Sequence, residues 1–493
     1  MIIMMQPAVN SLATNPHFRH FKRRMLSSPI SINLELTSGC NIKCRHCYNF
    51  YRDDSNSTLD RLSIAKMDRL IDMIVRDEVY HVVLTGGEPM MVFKVLEHSL
   101  QRLHEKGIST SVNSNLMLAT PEKAQRLRTA GLDHVLTSLN SHNPEVNDYM
   151  TAKEGNFVKI VEGIKNTVAA GTRVSVNMIV SEPNRDDVYE TAKLCAELGV
   201  QKIFGTRLVP AEYHKNPEAT DLNLNNATAL KALDDLLRAK QDFGIQVGTL
   251  ISYPLCMLGD LEKYHDFVGR GCPAQRGNRM VINADGQTHA CTHESRPYGN
   301  VLEVGIKGAF QKMRAWHDGS YLYKVCGDCK YINMCGSGCS AAADAYYGAL
   351  DAKDPLFAGY EHITTGYKVT IPKVIIRAVD DGAAFIVPPG IRFRNEGDFY
   401  TLNVRWANTF NIETDLAQFL IAKKTTGDAF TVADIPFPGA RKLLTELVFK
   451  QALVPQDPAL RDLLQADGTL GLGVDPADIP DEGYASALEL VSS

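Results

Sequence analysis

The sequence predicts an α/β protein: an incomplete (β/α)6 barrel, then a cysteine-rich domain and a small α+β domain with a winged-helix-like pattern. Three observations predict this architecture. Strand-like and helix-like apolar runs alternate six times between residues 32 and 204. The alternation stops near Phe243, and seven of the eleven cysteines lie between Cys256 and Cys339. After Phe357 the cysteines end, and short strand-like runs precede three helical runs.

These changes of pattern divide the 493 residues into five expected segments. They are an N-terminal cap at 1–30, the barrel at 31–243, the cysteine-rich domain at 244–360, the winged-helix-like domain at 361–458 and a flexible tail at 459–493. The tail is rich in Asp, Gly and Pro, a composition typical of loosely ordered chain ends.

Composition excludes several classes of function. Hydrophobic residues make up 44% and charged residues 22%, as in ordinary globular proteins, and the net charge of -5 gives no overall basic surface for nucleic acid. The N-terminus is apolar but short, with no charged start and no small-residue cleavage site before Arg19, so it does not predict a signal peptide. No apolar run reaches transmembrane length. We therefore expect a cytoplasmic protein with no nucleic-acid or membrane partner.

The barrel elements follow in order. Helices are predicted between successive strands, with Ser63 as an N-cap, Pro121 in a first turn and Gly107 just after a helix end. Cys195 falls on the core face of the fifth helix, where a buried free cysteine is expected. The predicted strands are 32–36, 81–85, 108–112, 134–139, 174–180 and 200–204.

Ligands gather at the carboxyl ends of parallel strands, so residues that follow the strands are the candidate site. The first strand leads into Cys40, Cys44 and Cys47, spaced Cys-x3-Cys-x2-Cys and followed by Tyr48. Three thiolates on one loop can hold three irons of a four-iron, four-sulfur cluster and leave the fourth iron open. Three buried free cysteines are the alternative.

Polar residues also follow the later strands. The second strand ends in Gly86-Gly87-Glu88-Pro89, where two glycines would let the backbone approach a ligand closely, or would form a plain βα turn. The remaining candidates are turn or cap residues in the alternative interpretation, and the arginine could instead be solvated. They are Asn115, Ser138, Asn177 and Arg207.

The cysteine spacing with its aromatic residue resembles the signature of radical S-adenosylmethionine (SAM) enzymes, which typically have a six-repeat barrel. The resemblance implies that SAM binds the open iron and that one electron cleaves it to a 5′-deoxyadenosyl radical, which abstracts hydrogen from substrate. It implies a low-potential electron donor of flavodoxin or ferredoxin type. It also assigns SAM contacts to Gly86-Gly87-Glu88-Pro89, through the amino group, and to Asn115, Ser138 and Asn177. Arg207 would neutralise the SAM carboxylate or contact substrate.

The second cysteine field begins with a predicted hairpin turn at Asp285-Gly286, which would bring Cys272 and Cys291 toward each other. It ends in a Cys-x2-Cys-x5-Cys-x3-Cys run that starts at Cys326. Zinc is the alternative, but four-cysteine zinc sites usually pair two Cys-x2-Cys units, and one occurs here.

This field resembles the SPASM domain of radical SAM maturases, which implies two auxiliary four-iron clusters. By this resemblance Cys272, Cys291 and Cys339 ligate the first cluster, and Cys326, Cys329 and Cys335 ligate the second. The family pattern ends in one more cysteine, but none follows Cys339 here. The second cluster would then take an oxygen from Asp344 or Asp354, or keep an open iron. Cys256 is either the fourth ligand of the first cluster or a core cysteine.

Sulfatase maturases of this class generally carry Asp directly after the cysteine equivalent to Cys291. Thr292 stands there, followed by His293, which argues against a sulfatase maturase. No residue is assigned as the catalytic base.

The C-terminal pattern of strands and three short helices would also suit a DNA-binding winged helix. Its last helix offers Arg441, Lys442 and Lys450, a thin basic face for phosphate binding. The segment distantly resembles the small peptide-binding domain of the pyrroloquinoline-quinone pathway, in which a leader peptide adds a strand to a sheet edge.

Together the resemblances imply a maturase of a ribosomally made precursor peptide that forms an oxidative C–C or C–S cross-link. The nearest alternatives use the same cofactors to oxidise a protein side chain or to epimerise a residue. An alternative of another class is a DNA-binding iron–sulfur redox sensor, although such a sensor has no use for the SAM-binding segment.

Overall fold

The computed structural model describes residues 12–49, 60–210, 222–269, 271–367 and 371–466. The described chain forms two compact units, Leu12–Gly366 and a second that begins at Tyr367. The predicted division at 243 falls inside the first unit, so the barrel and the cysteine-rich segment fold together. The second unit begins close to the predicted boundary at 361.

The centre of the first unit is a parallel sheet that contains the six predicted strands. Neighbouring strands pair in parallel and in sequence order, as strand–helix repeats require. Leu34 on the first of them is fully buried. The strands are β3 (Ser31–Glu35), β4 (His81–Thr85), β5 (Ser109–Asn113), β6 (His134–Ser138), β7 (Arg173–Val180) and β8 (Lys202–Arg207).

The same sheet is extended at both ends, to nine strands in the order β11-β10-β3-β4-β5-β6-β7-β8-β9. β9 (Gln246–Gly248) adds in parallel to β8. The predicted hairpin is present as β10 (Arg279–Ile282) and β11 (Thr288–His289), which pair antiparallel. β10 also pairs in parallel with β3. The segment that carries Cys291 is therefore attached to the strand that leads into Cys40.

The predicted N-terminal cap contains a small hairpin of β1 (Leu12–Thr14) and β2 (Lys22–Arg24). Phe18 and Phe21 between these strands are buried in one apolar cluster with Cys326 and Cys329. This part of the cap is thus packed under the cysteine-rich segment.

Helices of the first unit bury one apolar face each. α1 buries Met67, Leu70, Ile71 and Ile74, and the predicted cap Ser63 accepts a hydrogen bond from Lys66 N at 3.3 Å. The described helices are α1 (Ile64–Arg76), α2 (Phe93–Glu105), α3 (Pro121–Thr129), α4 (Pro144–Thr151), α5 (Asn156–Ala169), α6 (Val188–Glu197), α7 (Asn226–Phe243), α8 (Leu255–Leu258), α9 (Val301–Lys312), α10 (Arg314–His317), α11 (Ile332–Cys335) and α12 (Ser340–Tyr347).

The second unit has a three-stranded antiparallel sheet in the order β13-β14-β15, with a separate β12-β16 pair. Phe385, Leu402 and Leu444 lie in its core. The predicted tail is wrong for residues 459–466, because they continue a helix whose Leu464 is fully buried. The elements are α13 (Lys373–Asp380), β12 (Phe385–Ile386), β13 (Arg392–Asn395), β14 (Phe399–Arg405), β15 (Asn408–Glu413), α14 (Thr414–Thr426), α15 (Ala440–Phe449), β16 (Val454–Pro455) and α16 (Pro458–Ala466). Residues 467–493 of the tail lie outside the described residues.

None of the helices in the described ranges combines the length and apolar character needed to span a bilayer.

Candidate cluster and cofactor sites

The first cysteine group lies on the loop after β3. Cys40, Cys44 and Cys47 are each partly exposed, and Cys47 N donates to Cys44 O at 3.1 Å. The loop is anchored because Arg45 donates from its backbone N to Met150 O and from Nε to Tyr149 O, both at 3.0 Å. Three accessible thiols are thus held at the carboxyl edge of the sheet, where an iron–sulfur cluster could bind.

The Gly-Gly-Glu-Pro segment packs directly on this loop. Gly87 N donates to Thr37 O, and Glu88 N donates to Gly39 O, both at 2.7 Å. A Cβ atom added to Gly87 would lie 1.9 Å from Gly39 O, and one added to Gly86 would lie 2.4 Å from Thr37 O. The glycines are therefore required by the contact between the two loops, a reason that differs from the predicted approach of backbone to a ligand.

Replacing Gly87 with alanine is expected to displace the cysteine loop and to cost at least about 1–3 kcal/mol of stability, because no side chain can yield at a backbone clash. Iron content after anaerobic reconstitution should fall together with the urea midpoint. Gly308→Ala is the matched control, since its added Cβ would meet Val304 Cβ at an ordinary 3.6 Å. Normal iron content in the Gly87 variant would contradict this account.

Glu88 stabilises the neighbouring loop from inside the protein. Its side chain is 1% exposed; Oε1 accepts from Met90 N at 2.9 Å and from Ser114 Oγ at 2.8 Å, and Oε2 accepts from Asn115 N at 2.8 Å. A carboxylate with three protein donors has little capacity left for an amino group of a ligand. The carboxylate thus connects the Gly-Gly-Glu-Pro segment to the loop that carries Ser114 and Asn115.

Asn115 lies against the cysteine loop. Its Nδ2 donates to Asn41 Oδ1 at 2.7 Å and lies 4.0 Å from Cys40 Sγ. Asn115 Oδ1 accepts from Met117 N at 3.0 Å. Its amide therefore orients the loop between the first two cysteines.

Ser138 and Asn177 are direct partners across β6 and β7. Asn177 Oδ1 is buried and has no hydrogen-bond partner among the described residues. Because buried polar atoms are nearly always paired, this oxygen indicates a missing donor such as a ribose hydroxyl or an amino group. The pair therefore fits the SAM contacts expected for these two residues.

Arg207 has a different environment from the one expected. It is 1% exposed, and its Nη1 donates to both oxygens of buried Asp354 at 2.9 Å. Asp354 also accepts from Cys339 N and from Leu356 N, both at 2.8 Å. The solvated alternative for Arg207 is wrong, and its charge is directed to the cysteine-rich segment.

Cys272, Cys291 and Cys339 form the second group. The Cys272 loop is tied to the residue after Cys339, because Gln275 Nε2 donates to Ser340 Oγ at 2.7 Å. Cys291 packs against the buried cluster that contains Cys339. Burial raises the pKa of Cys291 to about 12, and the nearby Cys272 charge adds to that shift.

Cys256 joins the third group, with Cys326, Cys329 and Cys335. Leu255 N donates to Cys335 Sγ at 3.5 Å, which places the start of α8 on this group. Burial raises the pKa of Cys335, and the charges of Cys256, Cys326 and Cys329 add to that shift. Cys256 was expected either in the first auxiliary set or as a core cysteine; it is buried, beside the third group.

The proposed oxygen ligands are engaged elsewhere. Asp354 is held by Arg207 and Cys339, and Asp344 Oδ2 accepts from Arg296 Nη2 at 3.2 Å. In the described part of the chain, no three His, Cys, Asp or Glu side chains converge closely enough to hold one metal ion.

Comparison with known proteins identifies the barrel. Residues 34–195 match the family model described as Radical SAM superfamily. The barrel is a radical SAM domain. The family implies a four-iron cluster and SAM, for which Cys40, Cys44 and Cys47 supply a suitable thiolate set.

The similarity to known proteins extends beyond the barrel. Mycofactocin maturase MftC of Mycolicibacterium smegmatis is 28% identical over 358 residues, which cover 67% of this chain and 83% of the relative. AdoMet-dependent heme synthase of Methanosarcina barkeri is 25% identical over 67% of this chain and 97% of its own. The crystal structure of Streptococcus suis SuiB bound to precursor peptide SuiA shares the fold, with a TM-score of 0.53 and 16% identity over 66% of this chain and 75% of that one.

The radical SAM loop and the first auxiliary set meet through two rings. Tyr48, directly after Cys47, lies 4.9 Å from the His293 ring, measured between centroids. His293 Nδ1 lies 3.9 Å from Cys291 Sγ, and burial lowers the pKa of His293 to about 4. The sequence placed His293 near Cys291 but gave no signal for its contact with Tyr48, which depends on the β10–β3 pairing.

Cys195 is fully buried in α6, as expected for a core cysteine of the radical SAM barrel. Desolvation by burial raises its pKa, so the thiol stays neutral.

Proposed function

We propose that this protein is a radical SAM maturase of a ribosomally synthesised precursor peptide, and that it forms an oxidative C–C or C–S cross-link. The observation that supports the proposal best is the attachment of the Cys291 hairpin to β3, which puts an auxiliary thiol set beside the radical SAM loop. A second redox centre at that distance is suited to a reaction that must remove two electrons from one substrate. The relative MftC is a maturase by name, which agrees with this class.

Different residues would bind the cluster and SAM. Cys40, Cys44 and Cys47 would hold the cluster that binds SAM. Ser138 and Asn177 would contact SAM at the carboxyl ends of β6 and β7, with the backbone near Gly86 as the acceptor for its amino group. When bound and reduced by a low-potential flavodoxin or ferredoxin type donor, the cluster and SAM supply the 5′-deoxyadenosyl radical that takes one hydrogen atom from the peptide.

Electron balance in cross-link formation requires a second electron acceptor. Two hydrogens leave the peptide: one as an atom, and the other as a proton and an electron when the new bond closes. The electron would pass to the auxiliary site of Cys272, Cys291 and Cys339, and then toward the set that contains Cys335. We expect this chemistry in the reducing cytoplasm, where thiolate clusters persist.

The second unit would bind the leader of the peptide. β13 and β15 are the edges of its three-stranded sheet, and an extended peptide can add a strand to such an edge. The DNA-binding alternative for this unit is weakened, because Lys450 is 3% exposed and Arg441 Nε pairs with Asp380 at 2.6 Å. Of the three basic residues named for α15, one is therefore buried and another is paired with a carboxylate.

Reaction of the reconstituted full chain with a precursor peptide, SAM and a reductant tests the function. We expect a product lighter by two hydrogens, together with 5′-deoxyadenosine, and we expect the yield to fall at least about tenfold for a peptide without its leader. Supplying that leader as a separate peptide should restore only part of the yield, because tethering raises the local concentration of the core segment.

Mass spectrometry separates the alternatives. An unchanged mass with altered stereochemistry would support an epimerase, and a carbonyl product without a link would support a side-chain oxidase. Absence of 5′-deoxyadenosine with and without peptide would overturn the radical SAM proposal, and tight binding of operator DNA would favour the sensor.

A further inference from the structure

Each of the eleven cysteines of the chain can be assigned to one of three groups or to the core. Three lie on the radical SAM loop, and Cys195 is a core residue. The remaining seven fall into a group of four and a group of three. Nearness along the chain leads to a different expectation, in which Cys256 is either the fourth ligand beside Cys272 or a core cysteine.

Hydrogen bonds place Cys256 away from Cys272. Cys256 Sγ accepts from Ala358 N at 3.4 Å. The residues that follow it are paired with the same distant segment, because Thr364 N donates to Gly259 O at 2.9 Å and Leu261 N donates to Thr365 O at 3.2 Å. The Cys256 thiol thus lies against the segment that follows Cys339, where the SPASM pattern would have its last cysteine.

The neighbours of Cys256 are the other three thiols of its group. Cys326 and Cys329 lie in one buried cluster with Ile332, against which Phe357 packs. Cys335 is also close to Cys256, because the backbone N of Leu255, the residue before Cys256, donates to the Cys335 sulfur. Four thiolates on two segments are a complete ligand set for a four-iron cluster.

The group of three is surrounded by arginines instead of a fourth thiol. Arg207 pairs with the carboxylate that accepts from Cys339 N. Val281, two residues after Arg279, pairs with His289, two residues before Cys291, in the β10–β11 hairpin. Arg23 Nη1 donates to Gln275 O in the Cys272 loop. Each of the three cysteines therefore has a guanidinium nearby.

Two of these guanidinium groups retain donors. The Nε atoms of Arg207 and Arg279 are buried and have no hydrogen-bond partner among the described residues. Positive charge with unused N–H donors favours an anion in their vicinity.

We propose that Cys256 is the fourth thiolate of the second auxiliary cluster, and that the first auxiliary cluster is held by three cysteines with a fourth position open to an anionic ligand. This inference rests on the proposed function only for the presence of the clusters. It requires no peptide and no turnover, so its failure can be told from failure of the maturase proposal by spectroscopy alone.

Two full-length proteins, each keeping the cysteines of a single cluster, test the assignment. In the first, alanine replaces the cysteines of the radical SAM loop and of the first auxiliary set, so only the second set remains. In the second, alanine replaces the loop cysteines together with Cys326, Cys329 and Cys335. Cys256→Ala is then added to each, with Cys195→Ala as the control, and iron content and electron paramagnetic resonance (EPR) spectra are measured after anaerobic reconstitution.

We expect Cys256→Ala to change the spectrum of the first protein and to lower its iron from about four per chain. The second protein should keep its iron and its spectrum. The reverse pattern would overturn the assignment. If the first protein takes up no iron even with Cys256 present, the second protein tests the assignment: a spectrum that changes on adding Cys256→Ala contradicts the proposal, and an unchanged spectrum supports it.

Cyanide tests the open position in the second protein. Binding of this anion to an iron with no thiolate should shift the EPR spectrum of the reduced cluster. The first protein, with four thiolates, should show no shift at the same concentration. An unshifted spectrum in the second protein would overturn the open position and indicate a ligand from elsewhere in the chain.

Discussion

Replacing Cys44 with alanine is expected to abolish formation of 5′-deoxyadenosine from SAM. Cys44 is the middle residue of the thiol group on the loop after β3, and its carbonyl accepts from Cys47 N. Loss of one of three thiolates leaves two irons without a protein ligand, so the site should not retain a four-iron cluster. The whole rate acceleration, which in enzymes is at least roughly 10⁶-fold, depends on that cluster. Chromatography of the quenched reaction measures the product.

Iron analysis shows whether this loss is local. The Cys44 variant should lose about four irons per chain and keep those of the auxiliary sites. Cys195→Ala is the control for a cysteine replacement of equal size, because Cys195 is buried in the core and ligates nothing in the proposed scheme. Residual 5′-deoxyadenosine at a tenth of the normal rate would show that SAM is cleaved elsewhere.

The six barrel strands and their helices could be predicted because local patterns determine them. Ser63 caps α1 and an apolar stripe lies on its buried face, and both signals lie within a few residues. The cysteine groups were equally visible, since their spacing along the chain is short. Such features need no knowledge of which distant segments pair.

Long-range pairing could not be predicted in the same way. β10 pairs with β3 although Met280 and its partner Ile32 are far apart in sequence. Neither strand has a feature that selects the other, because parallel pairing depends on the fit of whole sheet edges. The contact between Tyr48 and His293 follows from that pairing and was not predicted for the same reason.

Cys256 shows how sequence distance can mislead. It was grouped with Cys272 by nearness along the chain, while its thiol accepts from Ala358 N, 102 residues away. The glycines of the Gly-Gly-Glu-Pro segment show a related limit. The two glycines correctly predicted that another group approaches this backbone closely. The sequence did not show that the group is the protein backbone at Gly39 and not a ligand.

Replacing Asp354 with asparagine is expected to lower the free energy of unfolding by about 3–5 kcal/mol, because it leaves a buried guanidinium without its counter-charge. The Arg207 and Asp354 side chains are 1% and 0% exposed. The exposed pair of Arg128 and Asp133, whose side chains are 41% and 49% exposed, provides the control. Asp133→Asn should cost about 0–1 kcal/mol. Equal urea midpoints for the two variants would contradict the importance of the buried pair.

A double variant separates stability from the auxiliary site. Arg207→Met with Asp354→Leu removes both charges, and a well-packed apolar pair can be as stable as a buried ion pair. Stability should therefore recover to within about 1–2 kcal/mol of the original protein. The Cys339 N–H, however, loses its acceptor, and the first auxiliary set loses one of its three arginines. If the pair serves the cluster as well as the fold, the restored protein will still show an altered EPR spectrum for that cluster, and an unaltered spectrum would confine the pair to folding.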